Sequence, residues 1–442
     1  MDPYSYSEKV IKGYQYQDQV PKFEEGEASA YFYGTTQANE VSEIPLSNDL
    51  LSHHLIFLGS SGTGKTTAIL NLTSQLIDQM TRDDVMIIFD AKGDYLPLKR
   101  EIDVVIDNVV TADDGLDAQK QYWNVFCEIT PEALRGEAVE TQINEIALTF
   151  FSPRMEKSRE KFFPTAGKDV FVAVMRALMR EGAGELSNRA LNEYFHGASP
   201  EAIRQKLSCH PDLQGITNYI SGEHQQTQGV LSEVRQVCQS LFQGNFNMSG
   251  GLSIRKLVRQ RGKRVIFVEY DLNHGHLLAP IYQLLFDLAL KEALSMEQRS
   301  GRVYFILDEY RLLPNARHLE IAANFGRSKG VKMILGLQSV SQLYAVYGSS
   351  ALADSLLSGL ANLVVFRLND YYSRLFVSGR LGSNYKKISW LPTINNKGRQ
   401  EKFAQGNVVE DWDIYSLKKG ESIVALMEQE PFFFKFAKID LV

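Results

Sequence analysis

The chain has few of the residues and segments that mark a secreted, zinc-binding or membrane-spanning protein. Its 442 residues include three cysteines, Cys127, Cys209 and Cys238, which are widely separated and form no C-x-x-C pair or Cys/His cluster with zinc spacing. Sparse thiols are typical of a reducing compartment. No apolar run approaches the roughly 18 to 20 residues that span a bilayer, and the start lacks a basic segment followed by an apolar one. We therefore expect a cytoplasmic protein.

The sequence also lacks an excess of positive charge. Its 47 basic and 53 acidic residues give a net charge of -6, which argues against a basic coat for nucleic acid over the whole surface. A channel lined locally with positive charge is still compatible with this total, because whole-chain charge says little about one face. With 44% hydrophobic residues, the chain can bury a large core and should form two or more structural units.

A complete phosphate-binding loop follows a short apolar run. Residues 59–66 match G-x-x-x-x-G-K-[ST], and residues 55–58, Leu-Ile-Phe-Leu, have the apolar content of a buried strand. Helical spacing after the loop indicates a helix N-terminus, where the dipole favours anions. Lys65 would contact the β- and γ-phosphates and Thr66 would ligate Mg²⁺, so we predict ATP and Mg²⁺ as ligands. The predicted binding residues are Gly59, Ser60, Ser61, Gly62, Thr63, Gly64, Lys65, Thr66 and Thr67.

Changes in composition and in the spacing of apolar residues divide the chain into four parts. Residues 1–48 are polar and aromatic-rich and are interpreted as a short β-rich lead-in; residues 49–122 form the first part of a nucleotide-binding domain. Residues 123–255 place apolar residues at spacings of three to four and contain no extended apolar strand, which predicts an all-helical inserted domain. Residues 256–442 return to apolar strands and complete the nucleotide-binding domain.

Apolar strands alternate with helices on both sides of the insertion. The predicted strands are residues 84–90, 264–270, 303–309, 331–337 and 363–366. Nearly continuous apolar runs are typical of parallel strands buried on both faces. Their alternation with helices predicts an α/β fold with a mainly parallel sheet and helices on both faces.

Two carboxylates end one of these strands. Asp308 and Glu309 follow the run Phe305, Ile306, Leu307. Asp308 is suited to hold Mg²⁺, while Glu309 is suited to orient and deprotonate the attacking water. Acidic strand ends are often only solvated, but the phosphate loop upstream makes us prefer the catalytic interpretation. A further polar turn, residues 90–94, follows another strand; it either faces the nucleotide or is a capped turn.

Two other residues are candidates for the site because of their positions in the sequence. Gln338 ends the strand at residues 331–337, so it should reach the same sheet edge as Asp308 and could sense the γ-phosphate or the water. Arg327 lies just before that strand. It is either an ordinary cation at a helix end or a guanidinium that stabilises transition-state charge on the nucleotide of a neighbouring subunit.

Together these motifs resemble a known family. The chain is similar to the type IV coupling proteins of conjugation and secretion (TraG/TraD-like), within the wider FtsK/HerA group of hexameric motor ATPases. The likeness begins near residue 43 and spans nearly all of the rest. The segments that carry it are residues 54–66, 89–95, 122–126, 307–309, 326–330, 336–343, 347–348 and 417–424.

The resemblance implies a RecA-like nucleotide-binding domain interrupted by the all-helical domain, with six identical subunits in a ring. It implies that Arg327 acts in trans on the neighbouring site and that Gln338 is a sensor, so the predicted catalytic residues are Lys65, Glu309, Arg327 and Gln338. The implied substrate is DNA, sometimes with a relaxase attached, passed to a secretion channel. Many members begin with transmembrane helices, which this sequence lacks, so we expect a partner to recruit it to the inner membrane or a soluble role in moving DNA.

The sequence leaves the DNA surface and two other functions open. Residues 255–264 hold six basic residues in ten and are either a solvated turn or a phosphate contact. Residues 154–161 mix charge signs, as an exposed helix face does. Besides a DNA translocase, the motifs are compatible with a secretion ATPase that acts on proteins or with a nucleotide-gated module that recruits them.

Overall fold

The computed structural model describes residues 7–23, 26–95, 97–98, 105–110, 122–129, 139–182, 184–221, 225–270, 272, 275–295, 301–313, 317–390 and 400–438. Its strands in chain order are β1 Ser7–Lys12, β2 Ala28–Thr35, β3 Val41–Ser47, β4 Leu55–Leu58, β5 Val85–Asp90, β6 Val105–Val110, β7 Arg264–Glu269, β8 Val303–Leu307, β9 Val331–Leu337, β10 Asn362–Phe366, β11 Ser383–Trp390, β12 Gln400–Asn407, β13 Glu421–Ala425 and β14 Phe432–Phe436.

One large sheet organises the molecule. Its strand order is β3-β2-β14-β13-β10-β4-β9-β8-β5-β7-β6, and neighbouring strands from β10 to β6 are parallel. The strands from β3 to β10 pair antiparallel. The predicted α/β fold with a mainly parallel sheet is confirmed.

The parallel strands are buried on both faces, which explains their continuous apolar sequences. Alternate residues of β5 point to opposite sides, so that Ile87 and Phe89 join one hydrophobic cluster and Met86 and Ile88 join the other. The same alternation holds in β8, where Phe305 lies in the first cluster. Helices cover both faces, as an all-apolar parallel strand requires.

The helices lie between and around these strands. In chain order they are α1 Asn48–Ser52, α2 Lys65–Asp78, α3 Val139–Lys157, α4 Phe162–Glu181, α5 Asn188–Gly197, α6 Pro200–Ser208, α7 Gln225–Leu241, α8 Ile254–Gln260, α9 Gly275–Ser295, α10 Arg317–Phe325, α11 Val340–Tyr347, α12 Ser350–Ser358, α13 Tyr371–Leu381 and α14 Asp411–Ser416. Short 3₁₀ segments are Val125–Glu128, Pro211–Ile220, Gly244–Asn247, Tyr310–Leu312 and Gly326–Lys329.

Helices α3 to α8 form a block between strands β6 and β7. Within it α4 packs against α3 and α7, and Phe171 of α4 stacks on Phe195 of α5 with ring centroids 5.7 Å apart. Helix α9 follows β7 yet packs on α3, α7 and α8, so it joins this block to the sheet. We propose that this block is the inserted helical domain.

The N-terminal lead-in does not stand apart from the sheets. Strands β2 and β3 extend the large sheet beyond β14, while β1 pairs with β11 in a separate three-stranded sheet, β1-β11-β12. Strands from early and late parts of the sequence therefore complete the large sheet. Tertiary pairing between residues some four hundred positions apart gives no local sequence signal, which is why these partners were not predicted.

Candidate nucleotide site

The phosphate-binding loop joins β4 to α2, and backbone hydrogen bonds fix its position. Gly62 and Gly64 have φ values of 77° and 109°, conformations that favour glycine. The Gly59 N–H donates to the Leu337 carbonyl at 3.0 Å, and the Ser60 N–H donates to the Arg367 carbonyl at 3.0 Å. The neighbouring strands β9 and β10 thus fix the loop from both sides.

The loop lines a cleft of about 170 Å³. Lysines from other elements and a glutamine complete its wall. The lining residues are Ser60, Ser61, Gly62, Thr63, Gly64, Lys65, Thr66, Thr67, Lys92, Gln338 and Lys419. Gly59 is the one residue of the predicted binding set that does not line it; a Cβ there would meet Phe366 and Thr63 at 2.8 Å, so Gly59 allows close packing under the loop.

Lys65 and Asp308 form a buried ion pair. The Lys65 Nζ lies 2.7 Å from Asp308 Oδ1 and 3.1 Å from the Asp308 carbonyl oxygen. Both side chains are less than a tenth exposed. The parallel order β4-β9-β8 places the ends of these strands at one edge of the sheet, which brings the loop lysine and the carboxylate together.

Glu309 is surrounded by hydrogen-bond donors. Lys92 Nζ lies 2.8 Å from Oε2 and Arg311 Nε lies 2.9 Å from Oε1, while the Gln338 Nε2 donates to both oxygens at 2.8 and 3.0 Å. Burial alone would raise the pKa of Glu309, but the hydrogen bond and charge of Lys92, with the charge of Lys65 and the Gln338 amide, hold it below its ordinary value. Glu309 is therefore an ionised carboxylate in contact with the predicted sensor, Gln338.

The turn after β5 combines the two interpretations that the sequence left open. The Asp90 carboxylate accepts hydrogen bonds from the backbone N–H groups of Lys92, Gly93 and Tyr95, at 3.3, 2.8 and 3.3 Å, and so caps the turn. The same turn projects the Lys92 side chain to Glu309. Lys92 is a site residue that the prediction did not single out.

Arg311 and Lys419 are also absent from the predicted set. Arg311 lies on the 3₁₀ turn after Glu309, where its only sequence signal is closeness to the acidic pair. Lys419 reaches the cleft because the Gly420 N–H donates to the Thr63 carbonyl at 2.9 Å. More than 350 residues separate these partners, and no local pattern encodes that contact.

Arg327 lies far from this cleft within the same chain. It belongs to the Gly326–Lys329 turn before β9, whereas the cleft lies beyond the other end of that strand, about 20 Å away for seven extended residues. Its side chain is 55% exposed and its Nη2 lies 3.0 Å from Asp49 Oδ1. The structure brings Lys65, Asp308, Glu309 and Gln338 together and leaves Arg327 on the opposite edge.

Most of the basic run at residues 255–264 is helical, and at least three of its six basic side chains have partners within the chain. Residues 254–260 form α8, in which the fully buried Arg255 donates to the Glu128 carbonyl at 3.2 Å. Arg259 pairs with Glu292 at 2.8 Å, and Arg261 donates to the Asp83 carbonyl at 2.7 Å. These three arginines hold α8 and the turn after it against neighbouring elements, which the solvated-turn interpretation did not anticipate. Lys256 is exposed, and phosphate contact by this run stays a prediction.

The mixed-sign segment at residues 154–161 begins inside a helix. Residues 154–157 form the last turn of α3, where the Arg154 Nη1 lies 3.0 Å from Glu233 Oε2 and 2.9 Å from Gln236 Oε1 on α7. Arg154 therefore links two helices, and its charge is neutralised locally.

Gly336 on strand β9 packs closely against Asp308. A Cβ at this position would lie 2.3 Å from the Asp308 carbonyl oxygen and 2.6 Å from Asp308 Oδ1, so no larger residue fits without moving β8. We expect Gly336→Ala to lower the stability by about 1–3 kcal/mol and to impair nucleotide binding, because overpacking displaces neighbouring backbone.

The thermal midpoint and the nucleotide affinity of Gly336→Ala would be compared with those of Gly379→Ala. Gly379 lies in α13 with no atom near its missing Cβ, so alanine there should leave the midpoint equal or slightly higher. A Gly336→Ala protein as stable and as active as the unmodified chain would show that the β8–β9 contact is not tight.

Comparison with known proteins finds relatives over most of the chain. Residues 38–388 match the family model of the type IV secretion-system coupling protein DNA-binding domain. The coupling protein TraD of Escherichia coli (strain K12) is 22% identical over 347 residues, which cover 77% of this chain and 45% of TraD. The probable conjugal transfer protein TraG of Sinorhizobium fredii is 20% identical over 391 residues, 84% of this chain and 60% of TraG. The chain therefore spans about half the length of the curated relatives it matches.

Solved structures share the fold. The bacterial conjugative coupling protein TrwBdeltaN70, in a trigonal form with sulphate, has a TM-score of 0.73 at 20% identity and covers 100% of this chain and 96% of its own. VirB4 of Thermoanaerobacter pseudethanolicus has a TM-score of 0.58 at 13% identity, with 94% and 98% covered. Within the described residues, no helix is both long enough and apolar enough to cross a bilayer.

Proposed function

Since the chain belongs to the family of type IV secretion-system coupling proteins, we propose that it is a Mg²⁺-dependent ATPase that moves DNA toward a conjugation or type IV secretion channel. One observation carries the enzymatic part of this proposal. The contacts of Lys65 with Asp308 and of Gln338 with Glu309 connect the buried acidic pair to the cleft that the phosphate loop and Gln338 line. A binding site alone would not need the second, ionised carboxylate.

The donor set of the cleft fits Mg²⁺-ATP. Thr66 lines the cleft next to Lys65, and Asp308 lies behind Lys65 in an ion pair with its ammonium. A hydroxyl and, once Lys65 turns to a phosphate, a carboxylate would supply the oxygen ligands that Mg²⁺ prefers. When bound, Mg²⁺ would neutralise charge on the β- and γ-phosphate oxygens. The structures of TrwB include complexes with an ATP analogue, with a GTP analogue and with ADP and Mg²⁺, which supports extending this ligand class to the present chain.

Each side chain of the cleft has a distinct part in hydrolysis. Lys65 holds the phosphates, while Glu309 orients the attacking water and takes its proton. Gln338 touches both oxygens of Glu309, so a shift of its amide toward the γ-phosphate would change the hydrogen bonding of the base. Lys92 keeps Glu309 ionised until a phosphate offers the ammonium a competing anion.

We further propose that six identical subunits form a ring in which Arg327 completes the site of the next subunit. Arg327 cannot reach the cleft of its own chain, because β9 separates the two. Its exposed guanidinium lies on the opposite edge of the sheet, where a neighbour packed head to tail would present its own cleft. A guanidinium so placed would stabilise the charge of the transferring phosphoryl group.

The substrate and the partners follow from the family. We propose DNA as the substrate, with relaxase or secretion-channel proteins as partners, and a cytoplasmic position with recruitment to the inner membrane by one of those partners. Because Arg255, Arg259 and Arg261 have partners within the chain, we propose that other basic residues, repeated around the ring, supply most of the positive surface for DNA. Binding should weaken steeply with salt and depend little on sequence.

The test is the ATPase rate of the purified protein with and without single-stranded and double-stranded DNA. We expect DNA to raise the rate severalfold, and Lys65→Ala to abolish both the basal and the stimulated rate because the phosphates lose their cation. Mass determination on the same samples would report the assembly. Equal rates with and without every form of DNA would contradict the translocase and favour a protein-directed ATPase.

A further inference from the structure

The cleft at the phosphate loop is small for a whole nucleotide. Its volume of about 170 Å³ is below the roughly 300 Å³ at which ligand pockets usually begin. Its lining consists of glycine, serine, threonine, lysine and glutamine, with no aromatic side chain. Such a site suits phosphates, so the base of a bound nucleotide must lie on a different surface.

The strand order determines the side on which that surface lies. From the loop after β4, the hydrolytic groups lie toward β9 and β8, where Gln338 and Asp308 follow the strand ends. A bound γ-phosphate would point to these groups. The nucleoside would then extend the other way, over the end of β10, which adjoins β4 on the opposite side, and over the residues before β13, which adjoins β10.

An arginine and a tyrosine meet at that place. Arg367 follows β10 directly, and its carbonyl accepts the N–H of Ser60 in the loop. Asn369, two residues further on, donates its N–H to the Ser60 Oγ at 3.0 Å, so this segment is fixed to the loop. The Arg367 guanidinium lies 5.0 Å from the centroid of the Tyr415 ring, on helix α14, just before the Lys419 segment that enters the cleft.

The Arg367–Tyr415 pair is held by neighbouring residues and is exposed to solvent. Arg374 lies 5.2 Å from the same Tyr415 ring and pairs with Asp411 at 2.6 Å, which fixes the ring on the protein surface. Tyr415 is 50% exposed and Arg367 is also exposed. Within the described part of the chain, no carboxylate forms an ion pair with Arg367, so its planar face is available to a ligand.

We propose that Arg367, supported by Tyr415, forms the surface on which the purine base of the bound nucleotide stacks. This proposal rests on the proposed function, since it assigns the base end of the same nucleotide. A flat guanidinium backed by an aromatic ring stacks on a π system and selects ring size over base identity. Purine nucleotides should therefore bind more tightly than pyrimidine nucleotides.

The test compares a ligand that has a base with one that lacks it. Isothermal titration calorimetry with AMP-PNP and with inorganic tripolyphosphate, both with Mg²⁺, would be run on Arg367→Ala and Tyr415→Ala. We expect about tenfold weaker AMP-PNP binding, as loss of one stacking contact implies, and unchanged tripolyphosphate binding. The preference for AMP-PNP over a pyrimidine triphosphate should shrink in the same variants, whereas Tyr415→Phe should behave as the unmodified chain.

Tyr372→Ala is the matched control. Tyr372 is 67% exposed on α13 and packs on Tyr371. Among the described residues its ring contacts neither Arg367 nor Tyr415, so its removal should change neither affinity. Unchanged AMP-PNP binding in Arg367→Ala and Tyr415→Ala, or equal losses for both ligands, would overturn the proposal. The Lys65→Ala variant distinguishes failure of the stacking proposal from failure of the proposed function. This variant should bind neither AMP-PNP nor tripolyphosphate. If it binds both as the unmodified chain does, the nucleotide site itself is wrongly assigned.

Discussion

Glu309→Gln is expected to lower the rate of ATP hydrolysis by about 10²–10⁴-fold, because an amide cannot take the proton of the attacking water. Nucleotide affinity should be retained, since the phosphates are held by the loop and Lys65, which the substitution does not touch. The variant keeps a group of the same shape next to Lys92, Arg311 and Gln338. Steady-state turnover and nucleotide binding, measured on the same preparation, would separate the two effects.

A second buried glutamate provides the control for this variant. Glu292 is almost fully buried and pairs with Arg259 at 2.8 Å, as Glu309 pairs with Lys92, but it lies on α9 away from the cleft. Glu292→Gln should lower stability with little effect on turnover. If both variants lost turnover in proportion to their stability, or if Glu309→Gln hydrolysed ATP normally, Glu309 would not be the base.

Arg327→Ala is expected to lower turnover by about 10³–10⁵-fold in the assembled protein, the range for loss of an arginine that stabilises phosphoryl transfer. The loss should be rescued in part by mixing subunits. A Lys65→Ala subunit has an inactive cleft but an intact Arg327, so beside an Arg327→Ala subunit it would complete the intact cleft of that neighbour. ATPase rates over a range of mixing ratios would show this rescue.

The ion-pair partner of Arg327 supplies the matched control. Asp49→Asn removes the exposed contact with the guanidinium and leaves the arginine in place, so turnover should stay close to that of the unmodified protein. Mixtures that show only the summed rates of their inactive components would contradict action in trans. An Arg327→Ala protein that failed to assemble would likewise show an interface role and not a catalytic one.

The local sequence was sufficient for the α/β fold, because its signals are short-range. The continuous apolar runs of β5, β8 and β9 reflect burial on both faces, and the loop glycines reflect backbone conformations that few other residues adopt. The antiparallel extension by β13, β14, β2 and β3 was not predicted. The contact that joins them to one another, between β14 and β2, pairs residues about 400 positions apart and leaves no local sequence signal. The half-buried strands β2 and β3 also lack a continuous apolar run.

The basic run at residues 255–264 shows that composition alone does not reveal which charged side chains are paired in the folded protein. Six cations in ten residues predict solvent or phosphate contact, yet Arg255, Arg259 and Arg261 satisfy carbonyl and carboxylate groups from distant elements. The sequence records charge but not where the compensating charge will lie. That depends on which helices the insertion brings beside α8.

Short contiguous motifs were sufficient to predict the family, the alternation of strands and helices, and the residue types suited to phosphate binding and water activation. Which of these side chains meet depends on the tertiary structure. The parallel order β10-β4-β9-β8-β5 aligns the carboxyl ends of these strands at one edge, and this brings Lys65 to Asp308 and Lys92 to Glu309. The same order also puts Arg327 at the opposite edge of the sheet, because Arg327 precedes β9 whereas the cleft lies beyond the other end of that strand.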